Sequence, residues 1–167
     1  MDAFIESRFK NGIIDLKDYS LHEFPEQLFK YKDELIGLDL SGNNIGSLPS
    51  RINEFKKLKY LYLVNCQIDE LPKEIGELVH LEELLLRANF IDDLPKEIVN
   101  LTNLEHLDLS ENVFTNFPNE IYSLTNLRVL DLTFNCLKDP CDKLVLEKIP
   151  SILWYFYYGN KPVQSWT

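Results

Sequence analysis

This sequence of 167 residues has little glycine, little cysteine and no long hydrophobic run. Its longest apolar stretch, residues 152–158, has seven residues, far fewer than the roughly 20 that a membrane-spanning helix needs. The six glycines are scattered along the chain, which argues against a glycine-rich loop that cradles a phosphate group. We therefore expect neither a membrane span nor a nucleotide-binding loop.

Cysteine occurs three times, as Cys66, Cys136 and Cys141. An odd number with no pair near the amino end is not the pattern of a small extracellular domain held by disulfides. Cys136 and Cys141 are close enough along the chain to approach each other, so one bridge stays open as an alternative. Residues 1–12 carry acids and an arginine where a secretory signal would have a basic end and then about 7 to 15 apolar residues. We therefore expect a cytoplasmic protein.

Positive charge is also in short supply, because 17 Lys and Arg residues face 27 Asp and Glu residues, a net charge of −10. Nucleic-acid binding depends on Lys and Arg that displace counterions from phosphates, and anionic membrane surfaces are disfavoured for the same reason. A protein partner with a basic or mixed-charge patch fits the composition better.

What the chain does have is a period of 23 residues. Leucines recur at that interval, and residues 71–93 show one complete unit. The leucines are Leu40, Leu63, Leu86, Leu109 and Leu132. Leu16 begins the series and lies 24 residues before Leu40. This period and the pattern Leu-x-x-Leu-x-Leu-x-x-Asn/Cys-x-Leu are the signature of a leucine-rich-repeat solenoid. We therefore predict six strand-bearing units that stack side by side.

Each unit divides into a strand, a turn and a return. The alternating leucines have the period of a short strand. The recurring leucines listed above are called the closing leucines of their units. An asparagine three residues after the closing leucine can satisfy backbone groups at the bend. Cys66 stands there in the third unit, and we interpret it as a structural substitute. A Leu-Pro or Phe-Pro pair then opens a short helical return, since proline suits a first helical position.

These repeat units resemble those of the intracellular leucine-rich-repeat proteins with 23-residue units. That class includes Ras-binding scaffolds, plant Ras-group proteins, Roco-type repeat domains and bacterial repeat proteins, some of them effectors. The resemblance implies one α/β solenoid over residues 1–167, with a curved parallel β-sheet on the concave face and helical or 3-10 returns on the convex face. It also implies an amino-terminal cap helix over residues 1–12 that ends at Gly12, six repeats over 13–146, and a carboxy-terminal cap helix and tail over 147–167.

The predicted terminal helix begins at Pro150 and ends before Gly159. Its apolar side should seal the last repeat, since Ile149, Ile152, Leu153 and Phe156 follow helical spacing. The aromatic side chains left outward are Trp154, Tyr155, Tyr157 and Tyr158. They are either a second contact surface, with weak self-association through Trp154, Tyr155 and Tyr158, or part of a fuller cap completed by the tail.

The concave face is the candidate site, because residues between the inward leucines face away from the core. Tyr60, Tyr62, Val64 and Leu85 form an apolar centre. The polar and remaining residues predicted to bind a partner around it are Asp39, Glu83, Arg87, His106, Asp108, Glu111, Asp131 and Phe134. Protein interfaces concentrate binding energy in such centres, so we expect a partner segment with Lys or Arg beside an apolar side chain. The alternative is that several of these acids only keep an open sheet soluble.

Catalytic chemistry has little support in the sequence. His22, His80 and His106 are scattered and lack metal-ligand spacing. Asp108 and Asp131 should lie about 5 Å apart on adjacent strands, but an open arc offers no desolvated pocket for an acid pair. We therefore expect no enzymatic activity, no cofactor and no bound metal.

Two classes of function remain. The first is an autonomous interaction module, such as a scaffold, adaptor or regulatory protein, or an effector acting in a host cytosol if the source is a bacterium that secretes it. The second is the substrate-recognition subunit of an assembly, such as a ubiquitin ligase or GTPase system, whose catalytic part is on another chain. A secreted, receptor-like repeat is a third reading, which a Cys136–Cys141 bridge would favour.

Overall fold

The computed structural model describes residues 2–138, 153–158 and 161–163. Its nine described strands follow one another across the sheet in chain order. They are β1 (Phe9–Lys10), β2 (Ile13–Asp15), β3 (Gly37–Asp39), β4 (Tyr60–Tyr62), β5 (Glu83–Leu85), β6 (His106–Asp108), β7 (Val129–Asp131), β8 (Leu153–Tyr158) and β9 (Lys161–Val163). Strands β2 to β8 are parallel, and β1 and β9 are antiparallel to their neighbours.

The 23-residue period sets the register of the sheet. Leu61 pairs with Leu38 on one side and with Leu84 on the other, and the series continues to Leu107 and Leu130. Each of these central leucines is at most 1% exposed, so one column of side chains runs through the core. The predicted leucine-rich-repeat solenoid is confirmed. Strands β2 to β7 stand at the six predicted strand positions, and β8 adds a seventh parallel strand.

In the part of the chain that the structure describes, five short 3-10 helices form the returns. They span Glu26–Tyr31, Ser50–Glu54, Lys73–Glu77, Lys96–Asn100 and Asn119–Ser123. Each begins directly after a proline in extended conformation, with φ between −73° and −62°. One aliphatic residue of each return is fully buried, namely Leu28, Ile52, Ile75, Ile98 and Ile121. The returns therefore begin where the Leu-Pro and Phe-Pro pairs predict.

Asparagines at the bend bind the backbone of adjacent coils. Asn89 Nδ2 donates to the carbonyls of Leu63 and Leu86, both at 2.8 Å, and its Oδ1 accepts from the N–H groups of Cys66 and Ile68, both at 3.0 Å. The same ladder is built by Asn43, Asn112 and Asn135.

Cys66 occupies the ladder position of the third coil and is fully buried. Its Sγ lies 3.1 Å from the Leu40 carbonyl oxygen, to which the thiol donates. Burial raises the pKa of this thiol to about 11, so the sulfur stays protonated at neutral pH. Its position and contacts are those of a structural substitute for asparagine.

The amino-terminal cap differs from its predicted form. Helix α1 spans Asp2–Arg8 and buries Ile5, but the prediction of helix to Gly12 is wrong beyond Arg8. Phe9–Lys10 is a strand paired antiparallel with β2. Asn11 and Gly12 form the two-residue turn between these strands, with φ of 53° and 80°. An Asn-Gly pair favours this hairpin turn because both central residues need positive φ.

The prediction of a carboxy-terminal cap helix is wrong for Leu153–Tyr158, because these residues form the strand β8. Its backbone pairs in parallel with β7 and antiparallel with β9. The physical reason is twofold: aromatic runs favour strands, and the edge of β7 needs partners for its N–H and C=O groups. Residues 139–152, 159–160 and 164–167 lie outside the described residues, Cys141 among them.

The side chains of Trp154, Tyr155, Tyr157 and Tyr158 also lie outside the described part of the structure, so the contact surface predicted there stays a prediction. Among residues 2–138, 153–158 and 161–163, no helix is long and apolar enough to cross a bilayer.

Candidate functional site

The concave face is built from residues that flank the buried centre of each strand. In β4, β5, β6 and β7 the central residue is buried and both neighbours are half-buried. This alternation turns seven of the predicted site residues toward the concave face. They are Tyr60, Tyr62, Glu83, Leu85, His106, Asp108 and Asp131.

An apolar centre lies on β4 and β5, where Tyr62 and Leu85 are direct partners in adjacent strands. Both are half-buried, as is Val64 two residues beyond Tyr62. These three side chains, with Asp39 and Lys17, line a concavity of about 360 Å³. Tyr62 and Leu85 therefore border an open concavity.

Ile13 extends the apolar centre toward the amino end. It is 48% exposed and pairs in register with Gly37, which in turn pairs with Tyr60. A Cβ on Gly37 would lie 3.3 Å from Ile13 Cγ1 and 3.6 Å from Tyr60 Cδ2, so the two side chains close over the glycine. Alternation along the strand already placed Ile13 on the outward side, but the residues predicted to bind a partner did not include it.

The tyrosine hydroxyls of β4 donate to acids of the next coil. Tyr62 Oη lies 2.6 Å from Glu83 Oε2, and Tyr60 Oη lies 3.3 Å from Glu82 Oε2. Burial and the Glu83 hydrogen bond raise the pKa of Tyr62, and the charge of Glu82 raises the pKa of Tyr60. Glu82 is also bound by Lys59 Nζ at 2.7 Å, and this bond lowers the pKa of Glu82.

The aspartates of the concave face have a structural role that sequence reasoning missed. Asp39 Oδ1 accepts the N–H of Ser41 at 2.8 Å, and Asp131 Oδ1 accepts that of Thr133 at 2.8 Å. Asp108 Oδ1 accepts both the N–H of Ser110 at 2.9 Å and its hydroxyl at 2.6 Å. The recurrence of Asp-Leu-Ser and Asp-Leu-Thr was the available signal, because short polar side chains bind backbone two residues on.

Arg87 and Glu111 at the rim hold each other. Arg87 Nε and Nη2 lie 3.0 and 2.6 Å from the same Glu111 oxygen. Arg87 is exposed and Glu111 is half-buried. Each charge of this pair therefore already has a partner within the chain, and the predicted role of the two residues in partner binding stays a prediction.

The residue two places after each closing leucine adopts the left-handed conformation. Its φ is 71° at Gly42, 57° at Ala88, 53° at Glu111 and 56° at Phe134. Such φ values are strained for residues with a Cβ. Phe134 is also 56% exposed, and its role in binding a partner stays a prediction.

The sequence model of a family described as a leucine-rich repeat region matches residues 38–148 of this chain, which is more than half of its length. The chain belongs to the leucine-rich-repeat proteins. A solved leucine-rich-repeat protein from Leptospira interrogans is similar to it, with a TM-score of 0.60 and 25% sequence identity. That likeness covers 92% of this chain and 52% of the other, so this chain spans about half the length of that protein.

Leucine-rich-repeat domains are in general modules for protein-protein interaction and typically have no catalytic role of their own. Within the described residues, no group of three or more His, Cys, Asp or Glu side chains could hold a metal ion. His106 lies in register between Glu83 and Val129. In this leucine-rich-repeat protein the concave face thus brings together aromatic, aliphatic and acidic side chains.

Proposed function

We propose that this leucine-rich-repeat protein is an interaction module that binds a partner protein through its concave face. The bound segment carries an apolar side chain that packs on Tyr62 and Leu85, and an adjacent Lys or Arg that meets the surrounding carboxylates. A buried aromatic or aliphatic anchor inside a polar rim is how interfaces concentrate their energy. The open concavity between Tyr62, Val64 and Leu85 is the observation that carries the proposal.

Charge supports a basic partner. Asp39, Glu83, Asp108 and Asp131 form no ion pair with any described residue. The aspartates accept a backbone N–H through Oδ1, which leaves the other oxygen to a partner cation. The net charge of −10 favours such a protein over nucleic acid or an anionic membrane. Charge of this kind speeds and orients encounter more than it raises affinity.

A photo-crosslinking residue placed at Leu85 tests this function in lysate of the source cells. The matched control is Val79, which is 43% exposed and lies on the other side of the coil, after a return. We expect a discrete adduct from position 85 that is absent from position 79 and weakens as salt rises. Identical adducts from both positions, or none from position 85, would refute the concave assignment.

We further propose that the protein acts in the cytoplasm, or in a host cytosol if it is a bacterial effector, as a scaffold or adaptor. The aromatic, aliphatic and acidic side chains of the concave face support binding, and this role does not require a catalytic partner. The alternative role, as recognition subunit of a ubiquitin ligase or GTPase system, predicts that the crosslinked complex carries that activity. An activity assay on the purified complex separates the two.

A further inference from the structure

Three exposed side chains form a second surface, away from the apolar centre of the concave face. Phe90, Val113 and Cys136 each stand four residues after a closing leucine, and together they are called the edge row. Phe90 is 58% exposed, Val113 is 40% exposed, and Cys136 is exposed. The first three repeats have Ser20, Asn44 and Gln67 at the same position, all exposed. The solenoid core therefore does not require an apolar residue here.

The edge row has a defined spacing because hydrogen bonds hold its coils together. The N–H of Phe90 donates to the Ile68 carbonyl at 2.8 Å, and that of Val113 to the Ile91 carbonyl at 3.1 Å. The N–H of Cys136 donates to the Phe114 carbonyl at 2.9 Å. Coils bonded this way are about 4.8 Å apart, as neighbouring strands are. The row thus places three side chains along roughly 10 Å.

This spacing fits one face of an α-helix. A helix rises about 5.4 Å per turn, so its side chains at i, i+4 and i+7 span about 10.5 Å. Same-face side chains of an extended strand repeat at about 6.6 to 6.8 Å and fall out of step with the row within three residues. A helix lying across the coils therefore matches the row better than a strand does.

Acidic side chains accompany the row where Phe90 stands. Asp69 and Glu70 follow Ile68, whose carbonyl binds the Phe90 N–H, and Asp92 and Asp93 follow two and three residues after Phe90. These four acids are exposed and form no ion pair with any described residue.

A concavity of about 500 Å³ joins this acidic group to the row, because Asp92, Asp93 and Val113 all line it. At the positions corresponding to Asp92 and Asp93, the fifth repeat has Thr115 and Asn116, and the sixth repeat has Lys138 at the first of the two. The uncompensated negative charge therefore lies beside Phe90 and Val113 rather than beside Cys136.

We propose that the edge row is a docking surface for a basic amphipathic helix of a partner protein, independent of the concave face. Apolar side chains at i, i+4 and i+7 of that helix pack on Phe90, Val113 and Cys136. Lys or Arg residues beside the first of them meet Asp69, Glu70, Asp92 and Asp93. Laying an apolar helix face against an apolar surface is a recurrent mode of peptide recognition.

The test uses a fluorescein-labelled helical peptide of Leu and Lys, with leucines at i, i+4 and i+7, against the full chain in an anisotropy titration. A second peptide has the same composition with its leucines spread around the helix. We expect the first peptide to bind at least tenfold more tightly than the second. Equal affinities, or no measurable binding of either, would overturn the proposal.

Variants locate the binding. Phe90→Gln with Val113→Asn restores the residue types found in earlier repeats, and it should weaken the first peptide at least tenfold while leaving the melting temperature unchanged. Asp92→Asn with Asp93→Asn should flatten the salt dependence of the affinity. Leu85→Ser, on the concave face, should leave the peptide affinity unchanged. If Leu85→Ser abolishes binding and the edge variants do not, the edge row is not the docking surface.

Discussion

Tyr62 donates a hydrogen bond of 2.6 Å to the Glu83 carboxylate on the next strand. This bond fixes the phenol ring beside Leu85, its partner in the register. The acid that accepts it lies at the edge of the apolar centre. One pair of neighbouring residues therefore provides both the aromatic surface and the charge that the proposed partner requires.

The Tyr62–Glu83 bond predicts a coupled titration. Burial is the larger cause of the raised pKa of Tyr62 and the Glu83 bond is the second, so Glu83→Gln should lower that pKa while leaving it above the ordinary value of 10.0. Glu82→Gln is the control, because it should shift Tyr60 instead. NMR of tyrosine labelled at Cζ follows both rings, and a Tyr62 pKa unaffected by Glu83→Gln would contradict the bond.

The same shift has a consequence for stability at high pH. A tyrosine whose folded-state pKa is raised contributes stability that is fully present below its unfolded pKa of about 10 and is lost as the pH rises toward the folded value. Thermal unfolding should therefore show that wild type loses more stability than Tyr62→Phe between pH 9 and pH 11. Parallel curves for the two proteins would exclude this contribution.

Two substitutions of Asp108 should distinguish the role of its charge in binding from the role of its hydrogen bond to Ser110 in stability. Asp108→Asn keeps an oxygen for the Ser110 N–H, so the free energy of unfolding should change by no more than about 0.5 kcal/mol. Asp108→Ala removes that acceptor and should destabilise by about 1 kcal/mol. Both variants should weaken partner binding in salt-dependent fashion.

Urea denaturation measures the first difference between these variants, and affinity at two salt concentrations measures the second. Equal destabilisation by Asn and Ala would mean that the hydrogen bond to Ser110 contributes nothing.

Replacing Asn89 by alanine should destabilise the protein more than replacing Cys66, which occupies the same position in the preceding coil. Its removal leaves two buried carbonyls and two buried N–H groups without the amide, so Asn89→Ala should destabilise by about 3 to 5 kcal/mol. Cys66→Ala removes one thiol bond and a small volume and should cost about 1 to 2 kcal/mol. Chemical denaturation of both variants tests the order, and an equal loss would contradict the ladder geometry.

Ala88 is predicted to gain stability from glycine. Its φ of 57° is unfavourable for any residue with a Cβ, so Ala88→Gly should stabilise by up to about 1 kcal/mol. Ala3→Gly is the matched control, because Ala3 lies in helix α1 and glycine there should destabilise by about 0.5 to 1 kcal/mol. Differential scanning calorimetry compares them, and a loss of stability at position 88 would contradict the left-handed geometry.

Most of the fold follows from the period alone. A spacing of 23 residues with alternating leucines places six strands in register, and the prolines place the returns, since both features repeat and reinforce one another in every coil. The ends do not repeat, and there the predictions were wrong. Asn11–Gly12 contained a hairpin signal, but the resemblance to a family with an amino-terminal cap helix outweighed it. The aromatic run from Leu153 was interpreted by helical spacing, whereas the open edge of β7 binds it as a strand.

The candidate site was predictable by position but not by contact. Alternation along each strand identified Tyr62, Leu85 and Asp108 as outward residues. It could not show that Asp108 binds the Ser110 backbone, or that Arg87 and Glu111 neutralise each other, because such bonds depend on side-chain conformation. The missing side chain of Gly37 likewise leaves a space that Ile13 and Tyr60 both border, a feature that only the assembled sheet reveals.

The affinity of the captured partner for two single variants tests the central claim most directly. Leu85→Ser removes an apolar contact from the concave centre, and Val79→Ser makes the same change at an exposed position after a return. We predict that Leu85→Ser weakens binding at least tenfold, a loss of about 1.4 kcal/mol, and that Val79→Ser leaves the Kd unchanged. Equal Kd values for the two variants would contradict the proposed role of the concave face.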